Sequence, residues 1–137
     1  MHEPTWRHLL TADVQLQPPA TPAELSAAER DLGTALPPAL RELYAVTSGI
    51  YDPAGQWFVL WRLADLAPRN LDAWSIETEA RRDLLAFGDD GTGDPFCLAL
   101  TGDPAVHTWS PIDQQAWPLA ATLHEFWAGW MTGEIKA

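Results

Sequence analysis

Two apolar runs separated by a stretch of Asp, Gly and Thr place the tightest limit on how this chain can fold. Leu84-Leu85-Ala86-Phe87 enters, Gly88-Asp89-Asp90-Gly91-Thr92-Gly93-Asp94 interrupts, and Pro95-Phe96-Cys97-Leu98-Ala99-Leu100 leaves. Asp and Gly supply the backbone conformations that tight or bulged connections demand, and short apolar runs suit strands buried on at least one face. The stretch therefore predicts a β-hairpin. Its glycines at 88, 91 and 93 let the backbone turn sharply or approach another segment closely.

Three carboxylates, Asp89, Asp90 and Asp94, crowd the tip of that hairpin. One reading is a cation site. Calcium loops place oxygen ligands on alternate residues and close with a Glu, whereas here position 92 is Thr and no closing Glu follows. The other reading is a turn whose Asp side chains bond their own backbone, and the ligand mismatch favours it. A phosphate cradle is not indicated, because neither Gly-x-Gly-x-x-Gly nor a terminal Lys-Ser/Thr is present.

Other chain segments carry clear start and stop signals. Thr21-Pro22-Ala23-Glu24 combines a capping Thr, a Pro at the first helical position and a Glu that completes a capping box. Leu25, Ala28 and Leu32 then share a face, and Gly33 is placed to end the helix. Pro38 opens a second helix with Leu40, Leu43, Tyr44 and Thr47 along one side, ending by Gly49. Tyr51 to Gly55 reads as a turn and Trp57 to Leu63 as a strand. Ala64 to Ala67 reads as one helical turn before Pro68, and residues 70–83 as an exposed helix or long loop. Ala105 to Trp109 is a further strand. Residues 113–117 turn the chain into a last helix from about Ala120 to Met131, with Leu119, Leu123, Phe126, Trp127, Trp130 and Met131 at helical spacing. Such a stripe is expected to be core.

Helices first, strands in the middle on hairpin-length turns and a helix last imply an α+β fold with a central, mainly antiparallel sheet. Residues 1–20 read as an irregular leading segment and 21–137 as one domain, long enough to bury a core. No apolar run approaches the ~20 residues that span a bilayer, and the first residues lack a basic flank followed by an apolar core, so a cytoplasmic protein is expected. The lone cysteine, Cys97, lies in an apolar run and reads as buried.

Nineteen acidic residues against eight basic ones give a net charge of −11. Phosphate neutralisation needs a basic face, so direct nucleic-acid binding is not expected. An acidic protein can instead be drawn to a basic partner, whose encounter its field would speed, while solubility alone would account for the same charge. No cofactor motif is present. Surface charge and aromatic placement nominate Asp89, Asp90, Asp94, Asp72, Glu77, Glu79 and Trp74 as partner-binding residues, and Trp117, like Trp74 in less regular surroundings, is a further interface candidate.

The ordered set of motifs resembles the SUKH superfamily, which includes a yeast regulator of cell-wall synthesis and many bacterial immunity proteins. The residues that carry the resemblance are Leu36-Pro37-Pro38-Ala39-Leu40-Arg41-Glu42-Leu43-Tyr44 with Thr47-Ser48-Gly49, then Phe87 to Asp94 with Phe96 to Leu100, then Val106-His107-Thr108-Trp109 with Leu123 and Phe126-Trp127. The resemblance implies helices packed on a largely antiparallel sheet. It also implies a non-enzymatic immunity protein that binds and neutralises a cognate polymorphic toxin of basic character, such as a nuclease, in the cytosol. Two alternatives stand beside it: a regulatory or scaffold interaction module, and a metal-dependent hydrolase built on Asp89, Asp90, Asp94 and His107.

Overall fold

A computed structural model describes residues 15–51, 58–76, 79–89, 91 and 93–132. In chain order the elements are β1 (Gln15–Leu16), α1 (Pro22–Leu32), α2 (Pro38–Val46), β2 (Ile50–Tyr51), β3 (Phe58–Leu60), α3 (Leu63–Ile76), α4 (Glu79–Arg82), β4 (Leu84–Asp89), β5 (Pro95–Ala99), β6 (Val106–Ser110), β7 (Gln115–Ala120) and α5 (Leu123–Thr132). They form two antiparallel sheets, β1-β2-β3 and β4-β5-β6-β7, and the α+β expectation holds.

The start of α1 follows its sequence signal closely. Thr21 Oγ1 accepts the Glu24 amide at 3.1 Å and Glu24 Oε1 accepts the Thr21 amide at 2.9 Å, so two orphan N–H groups are satisfied reciprocally. Gly33 closes the helix in the left-handed conformation, and its amide bonds the Arg30 and Glu29 carbonyls. Leu25, Ala28 and Leu32 are buried, as are Leu40, Leu43 and Tyr44 of α2. The helix α2 ends at Val46 rather than Gly49. Thr47 leaves the helix there in extended backbone, fully buried, and its hydroxyl bonds the Gln17 amide at 3.0 Å and lies 2.7 Å from the Gly49 carbonyl.

The predicted hairpin is β4-β5, with Leu84 opposite Ala99 and Asp89 opposite Pro95. Phe96 on one face of the sheet meets Phe126 and Trp130 of α5, at ring separations of 4.8 and 5.5 Å. Trp109 occupies the opposite face, in a cleft shared with Arg69, Ala73 and Arg81 of α3 and α4. The sheet is thus covered from both sides; of the expected helical stripe, Leu123, Phe126 and Trp127 of α5 are buried core and Trp130 is half-buried against it, whereas Leu119 lies on β7 and the Met131 side chain is outside the described ones.

Five expectations need correction. The strand read as Trp57 to Leu63 is shorter, because Leu63 already begins α3. Pro68 does not stop that helix. Its missing N–H and ring clash cost about 3 kcal/mol in a helix interior, but Leu63, Leu66, Ala67 and Asn70 are all buried on one face and hold the segment helical. Residues 115–120 are strand β7 rather than a turn into the helix. Pro118 obscures that strand in the sequence, yet β7 is the last strand of its sheet, where a residue without an N–H is tolerated. Finally, Gln15–Leu16 in the leading segment pairs with β2, and Tyr51 belongs to β2 rather than to a turn. Trp57 lies outside the described residues.

The two sheets meet along β3 and β4. Trp61 N–H donates to the Phe87 carbonyl at 2.7 Å, and the Val59 carbonyl comes so near Gly88 that a Cβ there would stand 1.7 Å from its oxygen. This is the close approach for which the sequence reserves a glycine. No helix among the described residues is long and apolar enough to cross a membrane.

Candidate functional site

The residue next to Gly88 ties the hairpin to the rest of the molecule. Asp89 Oδ1 accepts the Gly91 amide at 2.7 Å, the side-chain-to-backbone turn the sequence suggests, while Oδ2 accepts the Trp61 indole N–H at 3.0 Å. Trp61 in turn collects several elements. Its carbonyl accepts the Tyr44 hydroxyl of α2 at 2.7 Å, and the Arg69 guanidinium of α3 lies 4.6 Å from its ring centre. Burial, and after it the Asp65 carboxylate, push the Tyr44 phenol well above its ordinary pKa, so it remains a donor. Trp61, Arg69, Arg81, Asp89 and Trp109 line a cleft of about 250 Å³.

Asp89 is therefore a half-buried structural link. Replacing it with alanine is expected to cost about 2 kcal/mol, because a buried indole N–H and a turn amide lose a charged acceptor. Asp89→Asn should lose less, since a carbonyl oxygen remains. Urea unfolding of the two variants checks this, and equal losses would refute the double-acceptor role.

The remaining nominated residues do not form one cluster. Asp94 is half-buried beside β5 and engaged within the protein. Asp72 is exposed on α3 and Glu79 is exposed where α4 begins. Asp90 and Glu77 lie outside the described residues. Trp74 is half-buried and packs on the core, where its indole N–H donates to the Leu84 carbonyl at 3.0 Å and its own carbonyl accepts Arg82 Nε at 2.8 Å. It braces α3 against β4. Trp117 on β7 is 48% exposed, and Ile76, four residues after Asp72 on α3, is 75% exposed.

Of the residues named for a hydrolase, Asp89, Asp94 and His107 are described and Asp90 is not. His107 sits on β6 opposite Cys97, two strands across and two residues along from Asp89, which strand spacing makes on the order of 10 Å. Among the described residues no group of three or more His, Cys, Asp or Glu side chains could hold a metal ion.

Sequence reasoning missed the buried polar connection between α3, α4 and β4. Asn70 Nδ2 donates to the Leu66 and Ala86 carbonyls, both at 2.8 Å, while Oδ1 accepts the Ala86 amide at 2.8 Å and Arg81 Nη2 at 3.3 Å. Arg81, 2% exposed, also donates to the Leu84 carbonyl at 2.6 Å. The signal was there in part: Asn70 falls in line with Leu63, Leu66 and Ala67.

A larger concavity than that cleft lies elsewhere, a half-open groove of about 580 Å³ between the α1–α2 link, the β5–β6 turn and the start of α5. A comparison of the sequence with curated proteins gives no match. The model of the SMI1 / KNR4 family (SUKH-1), however, matches residues 19–129, from just before α1 to well inside α5, and the chain belongs to that family.

Proposed function

We propose that the protein is a non-enzymatic immunity protein that binds and blocks a cognate basic toxin in the cytosol. Membership of a family known for immunity-protein-like domains carries the proposal. The family is not one of known enzymes, which agrees with a role exercised by binding. The net charge of −11 supports a basic partner, since such a field raises encounter rates and disfavours wrong partners. Asp72 on α3 and Glu79 on α4 are exposed carboxylates open to such a partner, and Ile76, four residues after Asp72 on α3, is an exposed apolar side chain. Nuclease toxins, which need basic surfaces to hold phosphates, fit a protein of that net charge.

The test is capture of the tagged protein from its native cells, followed by binding measurements with the purified partner. One stoichiometric partner carrying a toxin domain is expected, with nanomolar affinity that weakens on the order of tenfold between low and high salt. Co-expression should restore growth to cells producing the toxin. Recovery of several housekeeping proteins at micromolar affinity would instead support a regulatory module, and a salt-independent toxin complex would remove electrostatic steering while leaving the immunity role.

A further inference from the structure

The groove between α2 and the β5–β6 turn combines three properties that together describe an occupant. Its floor is apolar and deep: Leu36, Leu98 and Leu123 are each 4% exposed or less. Its charged residues are of one sign. Glu42 stands on the α2 side and Asp103 on the β5–β6 turn, both exposed, and among the described residues the groove is lined by no Lys or Arg. Its walls are fixed before anything binds. Glu29 Oε2 accepts the Leu36 amide at 2.8 Å and its carboxylate pairs with Arg41 at 3.6 Å, which locks the α1–α2 link. Asp103 Oδ1 accepts the Ala105 amide at 2.9 Å, and Thr122 caps α5 by accepting the Glu125 amide at 3.1 Å. Its volume of about 580 Å³ falls within the range of about 300–1,000 Å³ seen for ligand sites.

We propose that this groove anchors a short extended or helical segment of the protein partner, one with large apolar side chains flanked by Lys or Arg. Apolar side chains would fill the floor above Leu98 and Leu123, and the flanking cations would meet Glu42 on one wall and Asp103 on the other. A preformed site loses little order on binding, so contacts made there appear as affinity. The proposal deepens the immunity reading by supplying an anchoring surface, and it rests on that reading only for the identity of the partner.

Two experiments separate the two claims. In the first, amide shifts of the labelled full chain are followed on titration with the acetylated, amidated peptide Lys-Leu-Phe-Leu-Lys, with Glu-Leu-Phe-Leu-Glu and Lys-Ser-Ser-Ser-Lys as controls. Saturable shifts around Leu98, Leu100 and Leu123 are expected with the first peptide, on the order of tenfold weaker with either control. Ala35→Trp, at an exposed lining position, should abolish them by filling the groove. The Glu42→Gln, Asp103→Asn pair should weaken them several-fold, and keeps the turn because the Asn carbonyl still accepts the Ala105 amide. Thermal melts confirm folding, and if Ala35→Trp fails to fold the charge pair carries the test. Absence of saturable shifts in the groove, or equal response to all three peptides, overturns the proposal. In the second, the captured toxin is titrated with the same variants. Unchanged affinity overturns the groove as the anchor while the immunity role stands, whereas failure to capture a toxin overturns the immunity role and leaves the peptide titration to decide the groove.

Discussion

Gly88→Ala is expected to remove a large share of the stability of the fold. The added Cβ would stand 1.7 Å from the Val59 oxygen and 2.6 Å from its carbonyl carbon, and both atoms are backbone. No rotamer change relieves such a contact, so β3 must move away from β4 as a unit. That displacement would also break the 2.7 Å hydrogen bond from Trp61 N–H to Phe87 and pull the Trp61 indole off Asp89. Overpacking usually costs 1–3 kcal/mol where side chains can yield; with backbone as the obstacle we expect about 4 kcal/mol or more, set against the roughly 5–15 kcal/mol of a whole domain. A urea midpoint lowered by less than the equivalent of about 1 kcal/mol would mean that β3 and β4 do not meet in this way.

Asn70→Ala is the second large effect, expected at about 3 kcal/mol. Ala86 is fully buried, and its amide and its carbonyl both bond to the Asn70 carboxamide. Removing that group strands one donor and one acceptor in the core, at about 1–3 kcal/mol each, and takes one acceptor from the Arg81 guanidinium. Asn70→Asp should not restore the loss, because a carboxylate oxygen would then face the Leu66 and Ala86 carbonyls where Nδ2 now donates. Urea unfolding with binding assayed under fully folded conditions checks both statements. A stable Asn70→Asp variant would refute the donor role.

What the sequence made legible was local. A capping box satisfies its own amides within four residues, and an Asp-Gly turn bonds itself, so the start of α1 and the β4-β5 hairpin could be read directly. The α5 stripe was legible for the same reason, its period being set by one helix. Pro68 and Pro118 misled because their local preferences were overruled by burial and by sheet position respectively. Arg81 stands among Glu79, Arg82 and Asp83 in sequence and looked solvated. Its burial depends on Asn70 and Leu84, and the first of these is brought to it only by the packing of α3. The bracing contact of Trp74 was hidden likewise, an aromatic in a charged stretch whose indole partner lies 10 residues on. The groove was invisible, since its floor draws on three separated segments.

One consequence of the Asn70 contact reaches beyond stability. On one side β4 pairs with β5; on the other, β3 reaches Phe87 and the Asn70 carboxamide occupies Ala86, where a neighbouring strand would otherwise bond. The carboxamide thereby acts as a stopper on a strand of sequence Leu84-Leu85-Ala86-Phe87, the kind of apolar edge that templates aggregation when bare. The stopper belongs to α3, so it leaves whenever that helix detaches. Aggregation of this protein should accordingly begin from molecules whose sheet is intact and whose α3 is loose, and hydrogen exchange at the Ala86 amide should track the aggregation lag across solution conditions. Exchange there only through global unfolding would show that the helix and the sheet come apart together.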